Sequence, residues 1–102
     1  MSLNIILKNI TNEKELFLYG MNGEGFINDL DNATAYVAII EAYMGCALGV
    51  ELLKEDIMVM EMGQDEVTEL IERTNSKMNS LKFHEPACKE FKGLLEEIRK
   101  LV

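Results

Sequence analysis

Glu15-Leu16-Phe17-Leu18-Tyr19-Gly20-Met21-Asn22-Gly23-Glu24-Gly25 decides between two folds for this chain. Read as strand, Glu15 to Met21 is a short aromatic run closed by Asn22-Gly23. That dipeptide is the strongest two-residue hairpin signal, because both central positions of a type I′ turn need positive φ. Glu24 to Asn28 is then the return strand. Read as helix, the same residues follow an Asn12 cap with Glu15 three residues on, a capping box, and Gly20, Gly23 and Gly25 end the helix. The turn chemistry favours strands. Asn4 to Thr11, rich in isoleucine and leucine and ending in Thr11-Asn12, reads as a strand before it.

Downstream, Ala33 to Val50 carries one charge, Glu41. A helix apolar all round is buried all round, so this segment predicts a long central helix, capped by Asp31 and running to about Lys54. Its small residues Ala38, Ala42, Gly45 and Gly49 recur at four, three and four along one face. Glycine inside a helix costs about 1 kcal/mol, which makes sense where another backbone must come close. Tyr36, Ile40, Tyr43, Ala47 and Val50 line another face and predict packing on a sheet or core.

Ile57 to Met62 reads as one further strand, with Met58, Met60 and Met62 on one side and Ile57, Val59 and Glu61 on the other. Asp65 to Phe83 is amphipathic through Val67, Ile71, Thr74, Met78 and Leu81. Pro86 opens a last helix with Ala87, Phe91, Leu94, Ile98 and Leu101 on one stripe. Two matching stripes joined by a short loop predict an antiparallel helical hairpin. The expected fold is therefore α+β over a single domain, residues 1–102: an N-terminal β-meander of two or three strands, a long buried central helix, one further strand and the helical hairpin. The alternative is an all-α four-helix bundle.

Charge narrows the partners. The net charge is −8, and from Gly20 to Glu72 twelve acids stand against one base, Lys54. Such a surface disfavours nucleic acid, whose binding needs cations to displace counterions, and disfavours anionic lipid. It suits solubility, or a basic protein partner. Ala33–Val50 is at the short limit for a membrane span and places Glu41 at its centre, so no membrane insertion is expected. Cys46 and Cys88 follow no secretory signal and read as free thiols in a reducing cytoplasm.

Candidate chemistry is thin. His84-Glu85-Pro86-Ala87-Cys88 resembles a zinc helix motif poorly, because Pro86 leaves His84 outside the helix and two local ligands do not make a structural zinc site, even with Cys46 as a third. Cys88, in the first turn after Pro86, is a candidate reactive thiol, and equally a small space-filling residue. Glu41 is a lone acid without a second group to make a mechanism. Asp65, Glu69 and Glu72, and the cluster Glu51, Glu55 and Asp56, have spacings too common to mark a cation site and read as solvated faces. No phosphate loop or dinucleotide fingerprint is present. No enzyme, metal or cofactor is expected.

The methionine row is the better functional signal, since methionine adapts its shape and is over-used on protein-binding surfaces, and a strand edge beside it offers pairing; the favoured competing reading is that the row fills an irregular core. The expectation is a small acidic, non-catalytic interaction or regulatory domain forming a homodimer, with Ala38, Ala42, Gly45, Gly49, Met58, Met60 and Met62 at the interface. The alternative is an acidic inhibitor, of the immunity or antitoxin type, covering a basic partner such as a nuclease.

Overall fold

The computed structural model describes residues 4–44, 57–77 and 85–102. In chain order they form β1 (Asn4–Asn9), β2 (Glu15–Gly20), α1 (Leu30–Met44), β3 (Ile57–Met62), α2 (Gln64–Lys77) and α3 (Glu85–Arg99). The fold is α+β, as the strand reading of the N-terminal residues expects, and not an all-α bundle. The strands make a sheet of order β2-β1-β3, with β1 antiparallel to β2 and parallel to β3. Side chains alternate across a strand, so Ile5, Leu7 and Asn9 of β1 and Met60 and Met62 of β3 share the buried face. The helices cover that face with Val37 and Ile40 of α1, Val67 and Leu70 of α2, and Phe91, Leu94 and Ile98 of α3. Each such fully buried aliphatic or aromatic side chain contributes about 1.5–3 kcal/mol.

The β1–β2 hairpin closes through Ile10 to Lys14. Asn9 N–H donates to the Lys14 carbonyl at 2.9 Å, and Glu13 N–H donates to the Asn9 carbonyl at 2.8 Å. Asn9 Oδ1 accepts from Thr11 N–H, and Asn12 Oδ1 from Lys14 N–H. These short amides fold their own backbone, which is why they belong in turns. Within β2 the register slips, with Ile5 opposite Tyr19 but Ile6 opposite Phe17. Leu18 is the extra residue of a β-bulge, so Leu18 and Tyr19 are both buried although adjacent.

Asn9 ties the helical layer to the hairpin. Its fully buried amide donates to Gln64 Oε1 at 2.9 Å and to the Leu101 carbonyl at 2.7 Å. Gln64 starts α2 and Leu101 comes just after α3, so the two helices run antiparallel, as the matched stripes predict. Thr11 Oγ1 accepts from the Gln64 N–H, satisfying a first-turn donor that the helix itself leaves orphaned.

Three expectations are corrected. Glu24 to Asn28 is not a strand. The chain does turn at Gly20–Gly23, where Gly23 N–H reaches the Gly20 carbonyl and Gly23 takes a φ of 79°. It then crosses close over β2: a Cβ on Gly25 would lie 2.5 Å from Tyr19 Cα. The cap of α1 is Asp29, not Asp31, because Asp29 Oδ1 accepts from Asn32 N–H three residues on. Over its described turns α1 is buried on one face only. Ala33, Tyr36, Val37 and Ile40 are buried, while Ala35, Ala38 and Ala42 are exposed. The expected continuation of this helix to Lys54, and of the next one to Phe83, lies outside the described residues.

Candidate protein interface

The face of the sheet opposite the helices is built from two rows in register. Ile6 pairs with Phe17 on one side and Val59 on the other; Lys8 pairs with Glu15 and Glu61. Residues so paired project to the same side, giving an apolar row Phe17–Ile6–Val59 beside a charged row Glu15–Lys8–Glu61. Val59 is 41 % exposed, Glu61 is exposed, and Ile6 and Phe17 are half-buried. The Phe17 ring also lies over Gly20, within 2.6 Å of where a Cβ would stand, so the ring covers backbone that glycine leaves bare.

The two edges of the sheet differ. Along β2, Phe26 N–H donates to the Phe17 carbonyl at 3.0 Å and Ile27 N–H to the Leu18 carbonyl at 2.8 Å. Successive carbonyls of a regular strand point to opposite sides; the bulge at Leu18 brings both to this segment. Along β3, the outer edge has no strand beside it among the described residues. Among the described residues one edge is covered and the other has no neighbour, on a strand whose sequence is Ile-Met-Val-Met-Glu-Met.

The expected interface residues separate on this frame. Ala38 and Ala42 are exposed on α1. Gly45 and Gly49 lie outside the described residues. Met58 is in β3. Met60 and Met62 are fully buried, so they fill this chain's own core instead of lining a surface. The physical reason is that the one charge of β3, Glu61, lies on the Ile57–Val59 side, so that side turns to solvent and the wholly apolar methionine side turns inward. The residues missed are Ile6, Phe17 and Val59. Ile5-Ile6-Leu7 and Leu16-Phe17-Leu18-Tyr19 are continuously apolar, so no alternation in the sequence marks which of them face outward.

The remaining candidates do not converge. Glu41 is partly buried, and its Oε1 is enclosed with no hydrogen-bond partner among the described residues. His84 lies outside them, as does Cys46. Cys88 is a free, half-buried thiol on α3. Near it, Tyr36 O–H donates to Glu90 Oε1 at 2.7 Å, Asn32 Nδ2 donates to the same oxygen at 3.2 Å, and the Tyr36 and Phe91 rings pack with centroids 5.1 Å apart. Burial first, then the Glu90 hydrogen bond and charge, with a smaller push from Cys88, hold the Tyr36 hydroxyl well above its ordinary pKa. This group pins α1 to α3. Asp65, Glu66, Glu69 and Glu72 are exposed on α2, Glu69 paired with Arg73. Among the described residues no three His, Cys, Asp or Glu side chains gather as a cation site would require. A cleft of about 310 Å³ between α2 and α3 is lined by Thr68, Ile71, Glu72, Asn75, Arg99 and Val102, at the small end of ligand-sized pockets. No described helix is long and apolar enough to cross a membrane.

Comparison with protein-family models, with curated proteins and with solved structures finds no match to this chain.

Proposed function

We propose that this chain is a small acidic, non-catalytic protein–protein interaction domain that self-associates as a homodimer. The observation supporting it is the in-register row Phe17–Ile6–Val59 on the sheet face opposite the helices, which ends at a β3 edge with no strand beside it among the described residues. Exposed strand edges are usually blunted by lysine, proline or a covering segment; β2 is covered, whereas β3 carries neither lysine nor proline. The free Cys88 supports a reducing, cytoplasmic setting, and the charge of −8 argues against nucleic acid or anionic lipid as partner. Sedimentation at micromolar concentration tests the reading. A species of twice 11.6 kDa, tightening as salt screens the like charges, is expected. A monomer at both low and high salt overturns it.

A second reading, the acidic inhibitor, is favoured by the exposed Asp65, Glu66, Glu69 and Glu72 on one helix. Such a surface steers a basic partner electrostatically. A neighbouring gene for a basic nuclease, and a complex of the two proteins that high salt weakens, would favour it over the first.

A further inference from the structure

We infer that Asn22-Gly23 is a site of spontaneous covalent modification, at which the folded chain converts Asn22 to aspartate and isoaspartate. The Gly23 amide nitrogen gives up its proton to solvent base and attacks Cγ of Asn22. The Cγ–Nδ2 bond breaks, and the side-chain nitrogen leaves as ammonia with a proton taken from water. The cyclic imide then adds one water. Opening at Cγ leaves aspartate; opening at the Asn22 main-chain carbonyl leaves isoaspartate. Water is the co-reactant throughout, and no oxidant or reductant takes part.

Sequence and structure select this position together. Of eight asparagines, Asn22 is the one followed by glycine, and a residue without a Cβ lets its nitrogen approach the neighbouring carboxamide. Asn22 and Gly23 are both exposed. A Cβ on Gly23 would meet no heavy atom within 4 Å, so there is room for ring closure and for water. The carboxamides of Asn9 and Asn12 are tied to Gln64 and to the Leu101 carbonyl, and that of Asn32 to Glu90. The Asn22 carboxamide makes no hydrogen bond among the described residues. Its attacker is restrained by one bond, from the Gly23 N–H to the Gly20 carbonyl at 3.0 Å, and one exposed bond holds back opening by about tenfold at most. The Ala33 N–H after Asn32, by contrast, is bonded to the Asp29 carbonyl at 2.9 Å in the first turn of α1, so attack there would unwind the helix start.

The product stays folded. Beyond the turn the chain is anchored again by the Phe26 and Ile27 N–H groups on β2 and by the fully buried Ile27 side chain. The extra main-chain methylene of isoaspartate therefore lengthens only the exposed turn between that anchor and Gly20. The new carboxylate stands beside the exposed Glu24.

Incubation of the full chain at pH 6 and at pH 8 tests the site, read by peptide mass mapping and by methylation with an isoaspartyl methyltransferase. Exchange of the amide NH2 for OH is expected first at Asn22. It should run faster at pH 8, with isoaspartate among the products, and within about tenfold of its rate in the same chain unfolded in urea. Asn22→Ser should abolish the methylation while the circular dichroism stays native. Exchange that begins at another asparagine, protection by folding beyond that tenfold, or methylation that persists in Asn22→Ser overturns the assignment.

Discussion

Single residues in this chain carry more of the fold than their chemistry advertises. Glu13 holds the β1–β2 loop with a φ of 63°. A side chain with a Cβ meets steric strain there, and asparagine tolerates the left-handed region better than glutamate. Glu13→Asn is expected to raise stability by about 0.5–1 kcal/mol, read as a higher urea midpoint at unchanged slope. Tyr36 offers a pH signature. Its folded-state pKa is raised, so its contribution is complete below the ordinary tyrosine value near about 10 and is lost as pH climbs beyond it, when the unfolded chain ionises first. Denaturation of wild type and Tyr36→Phe at pH 8 and at pH 11 should show the wild type losing more stability between the two. Equal losses would mean that the hydroxyl is not held protonated by burial and Glu90. Asn9 is the residue whose role no local pattern announces: a buried amide in a strand, satisfied by Gln64, Leu101 and Thr11.

At the level of elements, the segment after Asn22-Gly23 is the informative case. Its turn chemistry is that of a hairpin, and the chain does reverse there, but Glu24 to Ile27 cross β2 instead of pairing as a strand. Gly25 permits the crossing through lack of bulk, since a Cβ would meet Tyr19 Cα at 2.5 Å, the Leu18 carbonyl at 2.7 Å and Tyr19 N at 2.7 Å. None of these is a flexible side-chain end that can swing away. Gly25→Ala should therefore cost about 1–3 kcal/mol, with Phe26 and Ile27 lifting from the β2 carbonyls. Faster hydrogen exchange at the Phe26 and Ile27 amides would show it; an unchanged midpoint and exchange rate would refute it. For α1, hydropathy overstated burial because alanine scores as apolar while presenting little surface. Ala35, Ala38 and Ala42 sit in water at small cost, and the larger Tyr36, Val37 and Ile40 occupy the core.

For the molecule as a whole, charge and sheet architecture pull in opposite directions. Eighteen acids against ten bases keep copies apart, and screening by salt weakens that repulsion. Among the described residues the sheet is covered on one face, with one edge latched and no strand beside the other, and that is what the proposed partner would cover. The salt-strengthened dimer expected from sedimentation is the balance of the two.

The sequence by itself pointed to the α+β class and to the order of the described elements, apart from the strand expected over Glu24 to Asn28. Short apolar runs rich in β-formers, turn residues at Thr11-Asn12 and Gly63, and stripes at three and four are local signals, and local signals survive into the fold. It also determined the apolar stripe of α3, where Phe91, Leu94, Ile98 and Leu101 are all buried. Only the tertiary structure decided that Met60 and Met62 would be fully buried, because the helices that cover them come from distant parts of the chain. It decided as well that Asn9 and Thr11 would cap and tie α2, contacts spanning 55 and 53 residues of chain. The same holds for Phe17, Ile6 and Val59: three strands from separate parts of the chain had to align before they became one row. An interaction surface is a property of which faces remain after packing, and packing is a long-range choice that no window of sequence contains.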